Sequence, residues 1–312
     1  MAMYNASLVS GAEIKINGEV LDVSNLEMTA DVSRVFKNLY DITPLPYDFS
    51  CSSAVVYEDE IHILGSNLSG NGAKHYKWNG TSWTLASTLP HGFSGGLVVA
   101  LSDGIHILGN NGIYGNSKNH YRWDGTSWSL ISTLPYTYDK NAGLSYEDEI
   151  HIFPSSYYYK WNRTSWTKIS DTPGFSITVV YEDEIHGFNS SNHYKRSFTE
   201  TSTSSSTWKT VSDGKLPYDC SGSSGVVYED EIHIMGNGRY TYSNYPYAQS
   251  HYKYDGVSIT EDNSLSYMLC NGSAVVYRGE IYILGSYHPD YHKAWAKTEK
   301  SYSNIEIVSM VA

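Results

Sequence analysis

The hexapeptide Tyr-Glu-Asp-Glu-Ile-His occurs at Tyr57–His62, Tyr146–His151, Tyr181–His186 and Tyr228–His233, with looser copies at Leu101–His106 and Tyr277–Tyr282. Its isoleucine returns at Ile61, Ile105, Ile150, Ile185, Ile232 and Ile281. A period of roughly 45 residues belongs to stacked or radially repeated units, each too small to bury a core alone. The repeat therefore constrains the architecture before any single motif is read.

One unit, residues 45–90, shows the local logic. Ala54-Val55-Val56-Tyr57 is a short apolar run suited to a strand buried on both faces. Glu58-Asp59-Glu60 is a tight acidic turn, and Ile61-His62-Ile63-Leu64 is a second strand closed by Gly65. A loop, SNLSGNGAK, leads to a third strand, His75-Tyr76-Lys77-Trp78. Asn79-Gly80 predicts a two-residue hairpin into a fourth strand, Ser82–Ala86, because both positions tolerate positive φ. The second and third copies follow the same plan. The fourth carries a Ser/Thr-rich insertion, TETSTSSST, before Trp208, and the fifth has Ile259 where tryptophan is expected.

Four short antiparallel strands per unit describe a propeller blade. The expected fold is all-β: a six-bladed β-propeller of four-stranded antiparallel blades over residues 37–312, preceded by a short element at 1–36. The apolar strand, the turn, the strand ending in glycine, and a Tyr and Trp with six residues between them (Tyr76/Trp83, Tyr121/Trp128, Tyr159/Trp166) resemble kelch-repeat β-propellers. The usual double glycine of that family is a single one here, at Gly65, Gly109, Gly236 and Gly285, and the third and fourth units have Phe153-Pro154 and Phe188-Asn189 instead.

Ring closure has two candidates. Asn38–Pro46 resembles the fourth-strand segment of the other units, whereas Ile305–Val308 reads as a final strand of the sixth. Within 1–36, Glu13–Leu21 reads as a hairpin around Asn17-Gly18. Val32, Val35, Phe36 and Leu39 fall at helical spacing behind a capping Asp31. A segment this small suits docking or oligomerisation.

Composition narrows the partners. The net charge of −12 and the absence of any Lys/Arg run disfavour nucleic acid. No apolar run approaches a membrane span, and the first residues show no basic segment followed by an apolar stretch, so neither membrane insertion nor a secretory leader is expected. Three cysteines, Cys51, Cys220 and Cys270, do not make a disulfide scaffold, although a contact or thiolate site among them stays open.

The copies also differ from one another unevenly. The first-to-second turns are nearly fixed, and the third-to-fourth turns are short. The second-to-third loops diverge, reading SNLSGNGAK, NNGIYGNSKN, PSS, NSSN, NGRYTYSNYPYAQS and SYHPDY. A scaffold that holds one set of turns and varies the other behaves as a binding surface. The varied loops are rich in Tyr, Ser, Asn and Gly, residues that recognition loops favour. Tyr114, Tyr240, Tyr242, Tyr245, Tyr247, Tyr287 and His288, with His91 and Tyr138 from the inter-blade loops, are the expected ligand-binding residues. Tyr47, Tyr136, Tyr218 and Tyr267 recur at one position and read as packing.

His62, His106, His151, His186 and His233 recur at one position per unit, which a rotation axis spreads apart. They read as packed histidines whose ring nitrogens find partners between blades. The Glu-Asp-Glu turns read as a solvated acidic rim without a calcium cage. No metal and no cofactor is expected, and no phosphate loop, zinc motif or nucleophile elbow appears.

The expectation is a non-enzymatic recognition propeller binding a surface glycan or a protein. In organisation it resembles kelch-like proteins of phage or prophage tails, which implies assembly into a particle, contact with other tail proteins through 1–36, possession of several copies, and an extracellular, virion-tail location. The alternatives are a carbohydrate-active enzyme of mutarotase type, with His91, Asp139, Lys140, Asp219 and His288 as loop acid/base groups, or an intracellular kelch-like adaptor.

Overall fold

A computed structural model describes residues 44–47, 49, 53–66, 72–109, 118–138, 142–236, 249–262, 264–265 and 269–285, and the backbone of strands 15–16, 19–20, 26–30, 40–41, 294–297 and 305–310. The chain divides into two compact units, 39–297 and 1–38 with 298–312.

The larger unit is an all-β propeller of four-stranded antiparallel blades. Five sheets are built from consecutive strands. The first is Ser53–Tyr57, Glu60–Leu64, Lys74–Trp78 and Trp83–Thr88. The second runs from Leu97–Leu101 to Trp128–Thr133, and the third from Gly143–Tyr146 to Trp166–Asp171. The fourth runs from Ile177–Tyr181 to Lys209–Thr210, and the fifth from Ser224–Tyr228 to Ile259–Glu261. A further sheet, the closing sheet, takes Ser273–Tyr277, Glu280–Leu284 and Ala294–Lys297 and adds Tyr40–Asp41 as its fourth strand. The first strands abut in chain order, and Ser273–Tyr277 returns to lie against Ser53–Tyr57.

Local chemistry explains the turns. Tyr57 pairs with Glu60, so Glu58 and Asp59 are the two central residues of a hairpin, with φ of 49° and 58°. The same left-handed pair recurs at Glu147/Asp148, Glu182/Asp183 and Glu229/Asp230. Two positive-φ residues are what a tight hairpin needs to follow the strand twist, although Asn-Gly is the usual occupant. The third-to-fourth turn differs from the sequence expectation. Trp78 pairs with Trp83, leaving four residues, 79–82, in the loop. Asn79 is there for its side chain, whose Oδ1 accepts from Thr81 N–H at 3.0 Å, Thr81 Oγ1–H at 2.8 Å and Ser82 N–H at 3.1 Å. Asp124, Asn162 and Asp255 cap the equivalent loops in the same way.

The single glycine after the second strand has a steric cause. Gly65 has φ +70°, and a Cβ there would fall 2.1 Å from the Phe93 carbonyl oxygen; Gly109 has φ +69° and meets the Tyr138 carbonyl at the same distance. The segment that opens the next sheet crosses directly over this position.

The core lies in the seams between neighbouring sheets. Leu64 and Phe93 with Ile105, Ile107 and Trp123 fill one such seam. Ile61, Ile63 and Trp78 against Val275, Tyr277 and Leu284 fill the seam that joins the two ends of the ring. In the fourth sheet Arg196 replaces the tryptophan of the first three, pairing with Ile185 as Trp78 pairs with Ile61. The guanidinium is buried, and the Ser/Thr insertion accepts from its two terminal nitrogens through the Glu200 carbonyl at 2.9 Å, the Ser202 carbonyl at 3.0 Å and Thr207 Oγ1 at 2.5 Å. The insertion is therefore the lid that makes a buried cation tolerable.

Of the two candidates for ring closure, the N-terminal one completes the closing sheet. Ile305–Met310 is not a strand of the last sheet: it pairs with Leu26–Ala30 in a separate two-stranded sheet. The fourth strand of the closing sheet is Tyr40–Asp41, with Asp41 opposite Trp295 and Tyr40 opposite Ala296. Lys15–Ile16 and Glu19–Val20 form an antiparallel pair about the Asn17-Gly18 position. The helical spacing at 31–39 lies outside the described residues.

Candidate recognition face

The two ends of each sheet are unlike. At one end sit the Glu-Asp turns. Their tyrosines reach to the next sheet: Tyr181 Oη donates to the Asp230 carbonyl at 3.0 Å and Tyr228 Oη to the Gly279 carbonyl at 2.8 Å. The carboxylates are engaged as well. Asp148 accepts from Ser102 N–H and Oγ–H, both at 2.7 Å, and from Arg163. Arg163 also reaches Asp103 Oδ2 at 2.9 Å, joining the third sheet to the second. These bonds hold the carboxyls of Asp148 and Asp59 below the usual carboxylate range, through the Ser102 amide and Arg278 respectively. The acidic rim is thus a set of inter-sheet clasps rather than a merely solvated edge.

At the other end lie the second-to-third connections and the segments between sheets. The connections span 65–73, 109–118, 153–156, 190–191, 236–250 and 285–293, so they are short only in the third and fourth sheets. Tyr114, Tyr240, Tyr242, Tyr245, Tyr247, Tyr287 and His288 fall in the long ones and lie outside the described residues, as do Asp139, Lys140, Tyr267 and Cys51.

The described loop aromatics sort into core and surface. Tyr138 is fully buried, and its hydroxyl donates to the Ala142 carbonyl. It occupies the place of Phe49 and Phe93, also fully buried, so it packs a seam and is withdrawn from the ligand-binding set. Tyr47 and Tyr218 are buried against Tyr76 and Tyr252, as the packing expectation had it, but Tyr136 at the same position is 38% exposed. His91 is half-buried. Its Nδ1–H donates to the Gly92 carbonyl at 2.6 Å and its ring lies 5.2 Å from that of Tyr121. Asp219 Oδ1 accepts from Ser221 N–H at 3.0 Å and Oγ–H at 2.6 Å, an arrangement that shapes its own turn.

The recurring histidines have partners, but inside their own sheet. His62 Nδ1 lies 2.9 Å from His75 Nε2, and His75 Nδ1 lies 2.7 Å from Ser87 Oγ. His106/His120/Ser132 repeats the chain at 2.9 and 2.8 Å, and His186/His193 at 2.8 Å. In the third sheet Tyr158 Oη replaces the second imidazole, 2.6 Å from His151 Nδ1. The link to the next sheet is a tryptophan: Trp128 Nε1 donates to Ser87 Oγ at 2.9 Å and Trp166 Nε1 to Ser132 Oγ at 3.0 Å. Strand geometry places the pair, because His75 stands opposite Leu64, two residues from His62 on the same face. The repeated His-Tyr-Lys/Arg-Trp third strand carried this signal in the sequence.

Burial keeps these rings neutral. Desolvation pushes His62, His151 and His186 down to about 4, and His75 and His193 to about 3. The fifth sheet varies the theme. His233 Nδ1 is 2.9 Å from His251 Nε2, and Asp262 stands where the first two sheets have serine, 3.4 Å from His251 Nδ1. These three residues bring ligand-type atoms within 4.8 Å of one another. Their neighbours' geometry identifies them as one more buried relay, with the nitrogen that a cation would need already facing another ring or a carboxylate.

No family model matches the chain, and no curated protein matches it. A solved structure described as the structure of YjhT is similar at a TM-score of 0.65 and 12% identity, covering 81% of this chain and 95% of that one. At that identity the likeness shows the propeller fold alone.

Proposed function

We propose that the protein is a non-enzymatic recognition propeller that binds a bacterial surface glycan or a partner protein through the end opposite its Glu-Asp turns. All the sheets, the closing one included, act as six kelch-like blades of one ring. The observation that carries this reading is the contrast between the ends. One end spends its polar groups on clasps from sheet to sheet, whereas the other combines short connections at 153–156 and 190–191 with long, tyrosine-rich ones elsewhere. Conserved geometry at one end and divergent loops at the other is how a rigid scaffold carries recognition. The repeat pattern and the separate unit at 1–38 with 298–312 fit a component of a phage tail or tail-like particle, with residues 1–36 serving attachment.

Replacing 240–247 with Gly/Ser in the full chain tests the binding face. Binding to a bacterial glycan array and to whole cells should fall by about tenfold or more. Unchanged binding removes the loop assignment. Deleting 1–36 and sizing the product against the parent tests attachment, since an unchanged oligomeric state and unchanged co-purifying particle proteins would end that part of the reading.

A further inference from the structure

A repeat protein carries its own controls, because each sheet can be compared with its siblings position by position. The third sheet departs from the first two at three places that meet in space. Tyr157 stands where they have Lys74 and Asn119, and Asp171, opposite it, where they have Thr88 and Thr133. Lys168, opposite Tyr159, stands where they have Leu85 and Leu130.

The substituted residues form one cluster. Lys168 Nζ is 2.8 Å from Asp171 Oδ1 and 4.5 Å from the centre of the Tyr157 ring. The Tyr157 ring is 6.3 Å from Tyr159 and 5.5 Å from Tyr136, edge to face. In the first sheet the residue equivalent to Tyr136 is Tyr47, 6% exposed and packed on Tyr76. In the third sheet the loop tyrosine instead lies against Tyr157 and is 38% exposed, while the Lys168 and Asp171 side chains are 46% and 52% exposed. The second-to-third connection beside them is short and folded back, with Tyr157 N–H donating to the Pro154 carbonyl at 3.0 Å. The Ser/Thr insertion of the fourth sheet borders the cluster, with Thr203 accepting from Asp171 N–H at 3.0 Å.

Plain framework packing accounts for Tyr159, which recurs as Tyr76 and Tyr121. It does not account for an exposed tyrosine, a cation and a carboxylate appearing together here, where the first two sheets have none of the three at its position. We propose that Tyr136, Tyr157 and Tyr159, with the Lys168–Asp171 pair, form a saccharide-binding platform on the recognition end of the propeller. Amphipathic rings offer their faces and edges to the C–H surface of a sugar, and fixed polar groups beside them set its orientation. The ammonium donates to a sugar hydroxyl, and the carboxylate oxygen not held by Lys168 accepts from another. The ion pair pre-orients both groups before the ligand arrives. This inference rests on the recognition reading above, to which it adds a ligand class and a place.

The test uses the full chain on an array of neutral, N-acetylated, uronate-bearing and sialylated oligosaccharides. A triple variant, Tyr157→Lys with Lys168→Leu and Asp171→Thr, installs the residues of the first sheet, a combination that sheet already folds with. Tyr136→Ala is the second variant. Both should weaken saccharide binding by about tenfold with an unchanged melting temperature. Saccharide binding within about twofold of the parent in the triple variant overturns the platform. If the 240–247 replacement does lose binding in that case, the recognition reading stands without it. A parent that binds no saccharide but captures proline-rich peptides also overturns it, because such peptides use aromatic grooves too.

Discussion

The hydroxyl of Tyr277 donates to the main-chain carbonyl of Asp59 at 2.9 Å, across 218 positions of sequence. It is the same clasp that Tyr181 makes to Asp230 and Tyr228 to Gly279, so the seam that joins the chain's two ends is built like the interior ones. Arg278 adds ion pairing to the Asp59 carboxylate, at 3.2 Å from Nε to Oδ1. With 53% and 66% of these side chains exposed, water screens that pair, and the clasp rests mainly on the tyrosine.

Tyr277→Phe should therefore cost about 1 kcal/mol, the usual net value of one such hydrogen bond, and lower the melting temperature by about 2–4 °C. Tyr228→Phe should cost the same. Thermal melts of the two variants side by side check this, and a much larger loss at Tyr277 would mean that ring closure is a weaker seam than the others.

The Glu229-Asp230 turn holds two side-chain-bearing residues at φ 49° and 58°. The preceding sheet takes the Asp230 main-chain carbonyl through Tyr181, and any residue supplies that group. Asp230→Gly relieves the left-handed strain at that position and should stabilise the protein by about 1 kcal/mol, read from a denaturation midpoint. Asp148→Gly should instead destabilise it, because the Asp148 carboxylate is bonded to Ser102 and Arg163.

Acid should unfold the propeller. His62, His151 and His186 titrate near 4 in the fold and His75 and His193 near 3, all against 6.5 for an unperturbed ring. Below pH 6.5 the unfolded chain takes up protons that the folded one refuses, so stability falls as the pH drops from 6.5 towards 4 and 3. At pH 5 each independent ring would forfeit about 2 kcal/mol, and paired rings less than the sum. Near-ultraviolet circular dichroism should lose its signal well above pH 4. A melting temperature unchanged between pH 7 and pH 4.5 would show that the rings are not held neutral.

Cys220 is fully buried, and desolvation pushes its thiol up to about 12. It should resist iodoacetamide at pH 8 in the folded protein and react fully in denaturant, as read by mass spectrometry of its peptide. Rapid native labelling would place the Leu216–Cys220 segment outside the seam.

Trp128→Phe removes the donor to Ser87 Oγ while keeping most of the ring's bulk against His75, 5.7 Å away. A loss of about 1–2 kcal/mol is expected. Paired with Ser87→Ala in a double-mutant cycle, the two losses should not fully add, because the Trp128–Ser87 bond is deleted in both, while Ser87→Ala also removes the bond to His75. Additive losses would separate the tryptophan from the histidine column.

The sequence by itself settled what is local. The repeated apolar runs, most of them split by a short acidic turn, specify antiparallel strands at regular intervals. It also displayed the positions at which sibling sheets differ. What it left open is non-local. Whether Tyr40–Asp41 or Ile305–Val308 completed the closing sheet depended on which strand had an edge to meet, and both had suitable residues. The histidines' partners depended on a diagonal between strands, which no single strand contains. Tyr138 and Tyr136 sit two residues apart in one loop, yet one is sealed in a seam and the other faces water. Burial at such positions is decided by the neighbouring sheet's surface, and only the closed ring of packed sheets supplies it.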